Sequence, residues 1–310
     1  MFTSLRIRLP KKWFDLNARP ILHTAPIKCD GGRNLVFLSQ LHHPDVLMYL
    51  VAAKSFARFI QPREFVIVDD GLLARDRDLL QRHFERIRFL SSRSVDAGVC
   101  PRGGCWERLL SISDINGSDY VVQLDADTVT LNEPTEVIEH IDAGRSFTLG
   151  TPGGESIVST EETSRIASTW TSSHVQVLSE RAMVDLPRHL GDRYVHGCAG
   201  FTGFRPGSLP RIKIDEFSGE MSKLLGTAKW SEWGSEQVTS NFLVANDPGA
   251  AVLPIDRYPF WKAGKDISSA ALVHFFGTHR FEEGRYIKSA KQVIDALNDG
   301  LSPTRQLSSG

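Results

Sequence analysis

The sequence predicts an α/β fold in which a mostly parallel central sheet is flanked by helices, as in Rossmann-type nucleotide-binding proteins. Short apolar runs alternate with segments of helical spacing through the first half of the chain. The links between them are short, which is typical of parallel strands joined by crossover helices. The 310 residues, of which 41% are hydrophobic and 24% charged, are enough for one large domain with a sizeable core.

The first half of the chain contains the predicted nucleotide-binding part. Residues 1–33 show no regular pattern and include a Cys-Asp-Gly-Gly turn signal. Beyond them, β-branched and aromatic apolar runs predict buried strands, and apolar residues at helical spacing predict helices. The strands are expected at 34–40, 65–69, 87–90 and 120–124, and the helices at 46–60, 74–86 and 106–115.

The second half is predicted to be more mixed. A stretch at 151–173 is rich in Gly, Ser and Thr, and we expect a mobile loop over the site there. Helices are expected at 134–143, 176–190, 233–246 and 287–297, and strand-like runs at 147–149, 195–204 and 270–276. We therefore divide the chain into an N-terminal extension (1–33), one domain (34–300, with a nucleotide-binding part to about 131 and an acceptor-side part from about 132), and a flexible tail (301–310).

Composition and charge exclude several functions. The formal net charge is −1, and no basic stripe is interleaved with aromatic residues, so nucleic-acid binding is not expected. No apolar run reaches the length of a membrane span, and no secretory signal is found, so a cytoplasmic protein with reduced thiols is expected. Residues 1–16 mix basic and apolar side chains, which predicts either peripheral membrane contact or a terminus packed on its own domain.

The predicted strand at 120–124 leads directly into two carboxylates, Asp125 and Asp127. Residues i and i+2 of an extended chain point the same way, so both carboxylates are expected at one point beyond the strand. Paired carboxylates repel each other unless a cation lies between them, and Mg²⁺ and Mn²⁺ favour carboxylate oxygens. The alternative is an Asp-rich turn without a metal. A zinc site made from Cys100, Cys105, His196 and Cys198 is a further alternative, although the spacing does not favour it.

Five segments, taken in chain order, resemble motifs of the GT-A class of nucleotide-sugar-dependent glycosyltransferases. The resemblance is greatest to the glycogenin and lipopolysaccharide galactosyltransferase family, glycosyltransferase family 8, and it spans roughly residues 34–285. The segments are Trp-Glu-Arg-Leu-Leu (106–110), Leu-Asp-Ala-Asp-Thr (124–128), Cys-Ala-Gly-Phe-Thr-Gly-Phe-Arg-Pro (198–206), Ser-Glu-Gln-Val-Thr-Ser-Asn (235–241) and His-Phe-Phe-Gly-Thr-His-Arg (274–280).

The resemblance implies a GT-A fold and a role for each matching residue. Asp125, Asp127 and His274 would hold Mn²⁺ or Mg²⁺, with a core histidine as the alternative for His274. The remaining roles concern the nucleotide-sugar donor. Arg108 would contact its phosphates or sugar, Gly200 would line the sugar pocket, Glu236 and Gln237 would flank the reacting carbon, and Gly277 and Arg280 would contact the diphosphate.

Some of these residues have a simpler alternative role. Arg108 could be a surface helix residue, and Glu236 could cap or solvate its helix. Two further residues are placed by the predicted topology. Gln40, at the end of the first strand, is expected near the base or ribose, and Asp70, at the end of the second strand, could contact the nucleoside or belong to an Asp-Gly turn.

The resemblance further implies transfer of a sugar from a nucleotide-diphosphate sugar, most simply a UDP-sugar, to a hydroxyl acceptor such as a glycan or lipid-linked glycan, with retention of configuration. Two other functions stay open. One is a Mg²⁺-dependent phosphatase of the haloacid-dehalogenase type with Asp125 as nucleophile, since its Asp-x-Asp motif also follows an apolar strand. The other is a sugar-nucleotide-binding protein without catalysis.

Overall fold

The computed structural model describes residues 2–300, with side chains described from residue 9 onward. The predicted flexible tail, 301–310, lies outside the described residues. The described helices are α1 (Phe2–Ala18), α2 (Val46–Ala57), α3 (Ala74–His83), α4 (Trp106–Ile115), α5 (Thr135–Asp142), α6 (Thr160–Ala167), α7 (Val175–Ala182), α8 (Arg211–Leu225), α9 (Thr227–Trp230), α10 (Ser235–Ala245) and α11 (Arg285–Asn298). The described strands are β1 (Leu35–Leu41), β2 (Glu64–Asp69), β3 (Ile87–Ser91), β4 (Tyr120–Leu124), β5 (Thr128–Thr130), β6 (Phe147–Gly150), β7 (Val158–Ser159), β8 (Arg193–Tyr194), β9 (Gly197–Phe204), β10 (Ala251–Leu253) and β11 (Leu272–His274).

The predicted fold class is confirmed. Seven strands form a mostly parallel central sheet in the order β10-β6-β9-β4-β1-β2-β3, and helices flank it. Two small sheets accompany it, β11 with β5 and β7 with β8. The four predicted strands of the first half are all present within two residues of their expected bounds. Their β-branched and aromatic residues are almost fully buried in β1, β2 and β4, as expected for strands covered on both faces.

The chain forms two compact units. Unit 1 comprises residues 1–89, 124–138 and 256–310, and unit 2 comprises residues 90–123 and 139–255. The division into nucleotide-binding and acceptor-side parts made from the sequence stays a prediction.

In unit 1, β1 and β2 pair in parallel, and Leu41 lies opposite Asp69 at their carboxyl ends. Both strands therefore deliver their last residues to the same edge of the sheet. The expectation of an irregular segment at 1–33 is wrong, because α1 spans residues 2–18. The ring of Phe14 is fully buried on α1 and lies 4.2 Å from the ring of Tyr286 on α11. This contact joins positions 272 residues apart, so no local pattern could indicate it.

In unit 2, β9 lies antiparallel to β6, with an irregular register between Thr148 and Leu149. The glycines of β9 permit this pairing. A Cβ atom at Gly197 would lie 2.7 Å from the carbonyl oxygen of Leu149, and one at Gly203 would overlap the ring of Phe147. Glycine in this strand thus allows the close approach of a backbone oxygen and of an aromatic ring.

Two expectations for unit 2 are wrong. The stretch 151–173 contains β7 and α6 and is not a loop throughout. Ser159 accepts a hydrogen bond from the backbone N–H of Glu162 and so caps α6. The helix expected at 176–190 ends at Ala182 and is followed by two short 3₁₀ turns. Pro187 follows the first of these turns and cannot donate the hydrogen bond that a continuing helix requires.

The outer face of α1 carries exposed apolar side chains. Leu9, Trp13 and Leu16 are each more than half exposed, and their spacing places them on one side of the helix. No helix among the described residues is long and apolar enough to cross a bilayer. Peripheral membrane contact through residues 1–16 stays a prediction, and the side chains up to residue 8 lie outside the described part.

Candidate metal and nucleotide site

A two-stranded ribbon in unit 1 brings His274 to the two carboxylates. β5 begins directly after Asp127 and pairs antiparallel with β11, so that Thr128 lies opposite His274. The N–H of Phe275 donates to the carbonyl oxygen of Asp127 at 2.8 Å. The carboxylates of Asp125 and Asp127 and the imidazole of His274 each offer a ligand atom, and these atoms lie within 4.8 Å of one another. The three residues predicted as metal ligands therefore form one cluster.

Asp127 is the most constrained member of this cluster. Only 7% of it is exposed. Its Oδ1 lies 3.1 Å from His274 Nε2, and Arg280 Nη2 donates to its Oδ2 at 2.5 Å. Burial by itself would raise the pKa of the Asp127 carboxyl, but the charge and hydrogen bond of His274 and the charge of Arg280 together lower that pKa to about 2. Asp127 is thus an anion at neutral pH and available to a cation.

The donor set fits a hard divalent cation. Two carboxylates and one imidazole suit Mn²⁺ better than Mg²⁺, since both ions favour carboxylate oxygens and the softer Mn²⁺ accepts an imidazole nitrogen more readily. Ligand atoms on opposite sides of a Mg²⁺ ion lie about 4 Å apart, so the observed spacing needs only a small closure. Asp125 is half-buried, which leaves one side of the cluster open to a further ligand. Among the described residues this is the single group of three or more acidic, histidine or cysteine side chains with such spacing, so the cysteine-based zinc alternative is not supported.

Aromatic packing holds the cluster in place. The rings of Phe275 and Tyr286 stack at 4.5 Å between centroids, with an angle of 9° between their planes. The Tyr286 hydroxyl donates to the carbonyl oxygen of Ala126, the residue between the two acidic ligands, at 3.3 Å. Helix α11, and through Phe14 also α1, therefore supports the segment that presents the carboxylates.

The segment after His274 turns back towards Asp127. Gly277 has a φ of 63°, a left-handed conformation that glycine adopts without strain. It begins a 3₁₀ turn that ends at His279, and Arg280 follows. Arg280 also donates from Nε to the carbonyl oxygen of Phe275 at 2.8 Å, which fixes the guanidinium beside the cluster. The glycine thus permits the turn that places the Arg280 guanidinium beside Asp127.

Gln40 and Asp70 lie together at the ends of β1 and β2. Gln40 Nε2 donates to Asp70 Oδ2 at 2.9 Å, while Gln40 Oε1 is buried and has no hydrogen-bond partner among the described residues. Ser39 donates to the carbonyl oxygen of Leu124 at 2.6 Å, so the end of β1 lies beside the residue that precedes Asp125. The arrangement leaves one buried acceptor without a hydrogen-bond partner among the described residues at the end of β1.

In unit 2, the structure brings together Arg108 and Glu236. Arg108 Nη2 lies 3.3 Å from both carboxylate oxygens of Glu236, and neither residue is more than 6% exposed. The alternatives of a surface arginine and of a glutamate that solvates its helix are therefore wrong. Gln237, the next residue of α10, accepts from the N–H of Ala199 at 3.2 Å. Ala199 directly precedes Gly200 in β9, so the predicted sugar-pocket strand and Gln237 are neighbours.

A partly buried polar network adjoins Gln237, and the sequence did not predict it. Gln237 Nε2 donates to Gln176 Oε1 at 3.1 Å, and Gln176 Nε2 in turn donates to Glu180 Oε1 at 3.2 Å. The same oxygen of Glu180 lies 2.6 Å from His196 Nδ1. Glu180 is 1% exposed, and its charge, together with burial, raises the pKa of Tyr194 well above its usual range. The sequence offered one signal of this network, namely that Glu180 lies on the apolar face of a predicted helix.

The structure thus places the predicted site residues in two groups. Unit 1 holds the predicted metal ligands and most of the predicted nucleotide contacts: Gln40, Asp70, Asp125, Asp127, His274, Gly277 and Arg280. Unit 2 holds the predicted sugar contacts: Arg108, Gly200, Glu236 and Gln237. His42 was missed in unit 1, where its Nδ1 lies 2.7 Å from the carbonyl oxygen of Asp70.

Comparison with known proteins identifies similar folds. No family model and no curated protein matches the sequence. The bifunctional glycosyltransferase WbbM, solved without ligand, superposes with a TM-score of 0.50 at 10% identity, covering 89% of this chain and 52% of that chain. This chain therefore spans about half the length of WbbM. An active-site mutant of LgtC gives a TM-score of 0.48 at 11% identity, covering 83% of this chain and 95% of that chain.

Galactosyltransferase LgtC in complex with donor and acceptor sugar analogs gives a TM-score of 0.47 at 12% identity, covering 83% of this chain and 95% of that chain. At such low identity the similarity concerns the fold alone. The resemblance to glycosyltransferases inferred from the five motifs is confirmed at the level of the fold through WbbM.

Proposed function

We propose that this protein is a metal-dependent glycosyltransferase that transfers a sugar from a nucleotide-diphosphate sugar to a hydroxyl acceptor. One observation carries the proposal. Asp125 and Asp127, together with His274 from 147 residues beyond Asp127, offer ligand atoms within 4.8 Å of one another, and Arg280 donates a hydrogen bond to Asp127. The five sequence motifs and the similarity of the fold to WbbM support the same reading.

Each residue of the unit 1 cluster has a defined task in this proposal. Asp125, Asp127 and His274 would hold Mn²⁺ or Mg²⁺, which when bound stabilises the negative charge of a departing nucleoside diphosphate. Arg280 supplies a fixed positive charge to the same diphosphate oxygens, because its guanidinium is already anchored on Asp127 and the Phe275 carbonyl. Gly277 keeps the turn open to the phosphates, since a Cβ at this position would meet no atom within 4 Å.

Gln40 would contact the base. Its buried Oε1 accepts a hydrogen bond from an N–H on the base edge, while its Nε2 stays bonded to Asp70. The N3–H of uracil can fill this role, and because the sequence resemblance implies a UDP-sugar, a UDP-sugar is the donor we propose.

The unit 2 residues would act on the sugar. Gln237 is held at both ends of its amide, by the Ala199 N–H and by Gln176, so it presents a fixed polar group beside Gly200. Arg108 pairs with Glu236 and offsets the charge of this almost fully buried carboxylate. Both Glu236 and Gln237 are proposed to flank the reacting carbon of the donor, in a transfer that retains its configuration.

The acceptor class follows from the proposed reaction and from the resemblance. We propose a glycan or lipid-linked glycan hydroxyl as the nucleophile. A haloacid-dehalogenase-type phosphatase, in which the second aspartate would have to donate a proton, is less favoured, because His274 and Arg280 lower the pKa of Asp127 to about 2.

The test is metal-dependent turnover of nucleotide-sugars by the whole chain. A panel of UDP-, GDP- and ADP-sugars is incubated with Mn²⁺, and released nucleoside diphosphate is measured. We expect turnover with one UDP-sugar, and a loss of about 100-fold or more in Asp127→Asn, because one charged ligand of the cluster is removed. The matched control is Asp78→Asn, which makes the same change at an exposed position of α3. Wild-type-like turnover by Asp127→Asn in a folded protein contradicts the proposal.

A further inference from the structure

A second cleft in unit 1 has no role in the proposed transfer reaction. It has a volume of about 390 Å³ and lies between the loop around Gly264 and the start of α11. None of its lining residues is a predicted metal ligand or nucleotide contact. The side chains that line it are Trp261, Lys265, Asp266, Glu283, Arg285 and Lys288.

The acceptors in this cleft already have partners. Asp266 accepts from the backbone N–H of Ser268 at 2.9 Å and from its hydroxyl at 3.0 Å. Glu283 accepts from the N–H of Gly264 at 3.2 Å, which ties the loop to the segment preceding α11. Both carboxylates therefore serve to shape the cleft, although the Arg285 charge also acts on Asp266 and contributes to lowering its pKa.

The donors, in contrast, are unpaired. Trp261 is 2% exposed, and its buried indole N–H has no hydrogen-bond partner among the described residues. The Nε of Arg285 is likewise buried without a partner. Within the described part of the chain, no salt bridge or side-chain hydrogen bond involves the ammonium groups of Lys265 and Lys288. A buried donor without a hydrogen-bond partner destabilises the protein, so a ligand that offers acceptor atoms to this cleft is favoured.

The start of α11 adds to this preference. Arg285 is the first residue of a 14-residue helix, and the free N–H groups of a first helical turn favour negative charge. Three cations, a helix N-terminus and an indole donor thus converge on a space whose two carboxylates are engaged elsewhere. A phosphate group satisfies this set best, because its oxygens accept from planar guanidinium, ammonium and N–H donors together.

We propose that this cleft binds a phosphate group, as inorganic phosphate, a phosphate monoester or a lipid headgroup. The indole N–H of Trp261 and the Nε–H of Arg285 are the buried donors. The ammonium groups of Lys265 and Lys288 supply positive charge at the rim of the cleft. The proposal does not depend on glycosyltransferase activity, because it uses none of the residues assigned to that reaction.

The indole N–H of Trp261 gives a direct readout. The chain has six tryptophans, so ¹⁵N-tryptophan labelling yields six indole signals, and Trp261→Phe identifies the one to follow. Inorganic phosphate is titrated into the metal-free protein at constant ionic strength, with chloride as the reference anion. We expect the Trp261 signal alone among the six to move and saturate as the indole acquires a hydrogen bond.

A pair of lysine variants separates the cleft from general charge. Lys288→Ala is expected to weaken phosphate binding about three- to tenfold, since it removes one charge-assisted contact. Lys291→Ala makes the same change one turn further along α11, at a position that does not line the cleft, and is expected to leave binding unchanged. Equal weakening by both variants, or a Trp261 signal that does not move with phosphate or with the vesicles described next, overturns the proposal.

Vesicles distinguish the source of the phosphate. Flotation with phosphatidic acid vesicles is compared with flotation with phosphatidylcholine vesicles, whose phosphate is screened by choline. Binding to phosphatidic acid vesicles that is lost in Lys288→Ala identifies a lipid headgroup as the ligand. A Trp261 signal that moves with inorganic phosphate, without binding to vesicles, identifies a soluble phosphate. The absence of both responses contradicts the assignment.

Discussion

Replacement of Asp127 by asparagine should destabilise the protein even without a metal. In the folded state His274 and Arg280 lower the pKa of this carboxyl from 3.8 to about 2. One pKa unit corresponds to about 1.4 kcal/mol, so the ionised carboxylate contributes roughly 2 kcal/mol at neutral pH. Because the folded pKa is the lower one, this contribution is fully present above pH 4 and is lost as the pH falls towards 2.

The free energy of unfolding is measured by urea denaturation in the presence of a chelator. We expect Asp127→Asn to lower it by about 2 kcal/mol at pH 7, while the loss shrinks as the pH is lowered towards 3. The control Asp78→Asn, at an exposed site, should change it by less than about 0.5 kcal/mol. If the metal-free Asp127→Asn protein is as stable as the wild type at pH 7, the charge balance described for this cluster is wrong.

Two further predictions concern stability. Gly203→Ala should lower the free energy of unfolding by about 1–3 kcal/mol, because the added methyl overlaps the buried Phe147 ring. Gly219→Ala in α8, where a Cβ meets no atom within 4 Å, should instead raise it by about 0.5–1 kcal/mol. Equal effects of the two substitutions in urea denaturation would refute this. Lys54 is fully buried and bonded to Thr24 rather than to a carboxylate, and burial lowers its pKa to about 8. Between pH 8 and 10.5 the Lys54 side chain therefore carries a proton in the unfolded chain but not in the folded protein. The free energy of unfolding of the wild type should rise with pH across that window by up to about 3 kcal/mol relative to Lys54→Met. Parallel pH profiles of the two proteins would contradict the lowered pKa of Lys54.

The strands and the acidic ligands were predictable from the sequence because their signals are local. β1, β2 and β4 are mostly apolar, which is the pattern expected of strands that are buried on both faces. Asp125 and Asp127 follow β4 directly, so their common direction is a consequence of covalent geometry. Gly277 was singled out by its motif, and its left-handed φ explains why that position takes glycine.

The remaining features depend on contacts between distant segments. Residues 2–18 were expected to be irregular, yet Phe14 is buried against Tyr286 and the segment is helical. Pairing of β5 with β11 sets the position of His274. The run that contains β11 was predicted, but β5, its partner, has three residues and is too short for periodicity to reveal. The role of Glu180 was likewise hidden, because a glutamate becomes unusual only when its partners, His196 and Gln176, are known.

The central claim is that one cation binds between Asp125, Asp127 and His274 and holds a diphosphate. Crystals grown with Mn²⁺ and UDP, measured at the manganese absorption edge, test it most directly. We predict one anomalous peak that lies within about 2.0–2.4 Å of an oxygen of each carboxylate and of His274 Nε2. Phosphate oxygens of UDP should complete the coordination beside Arg280. Ordered UDP with no anomalous peak between those three side chains, or a peak at another place, would contradict it.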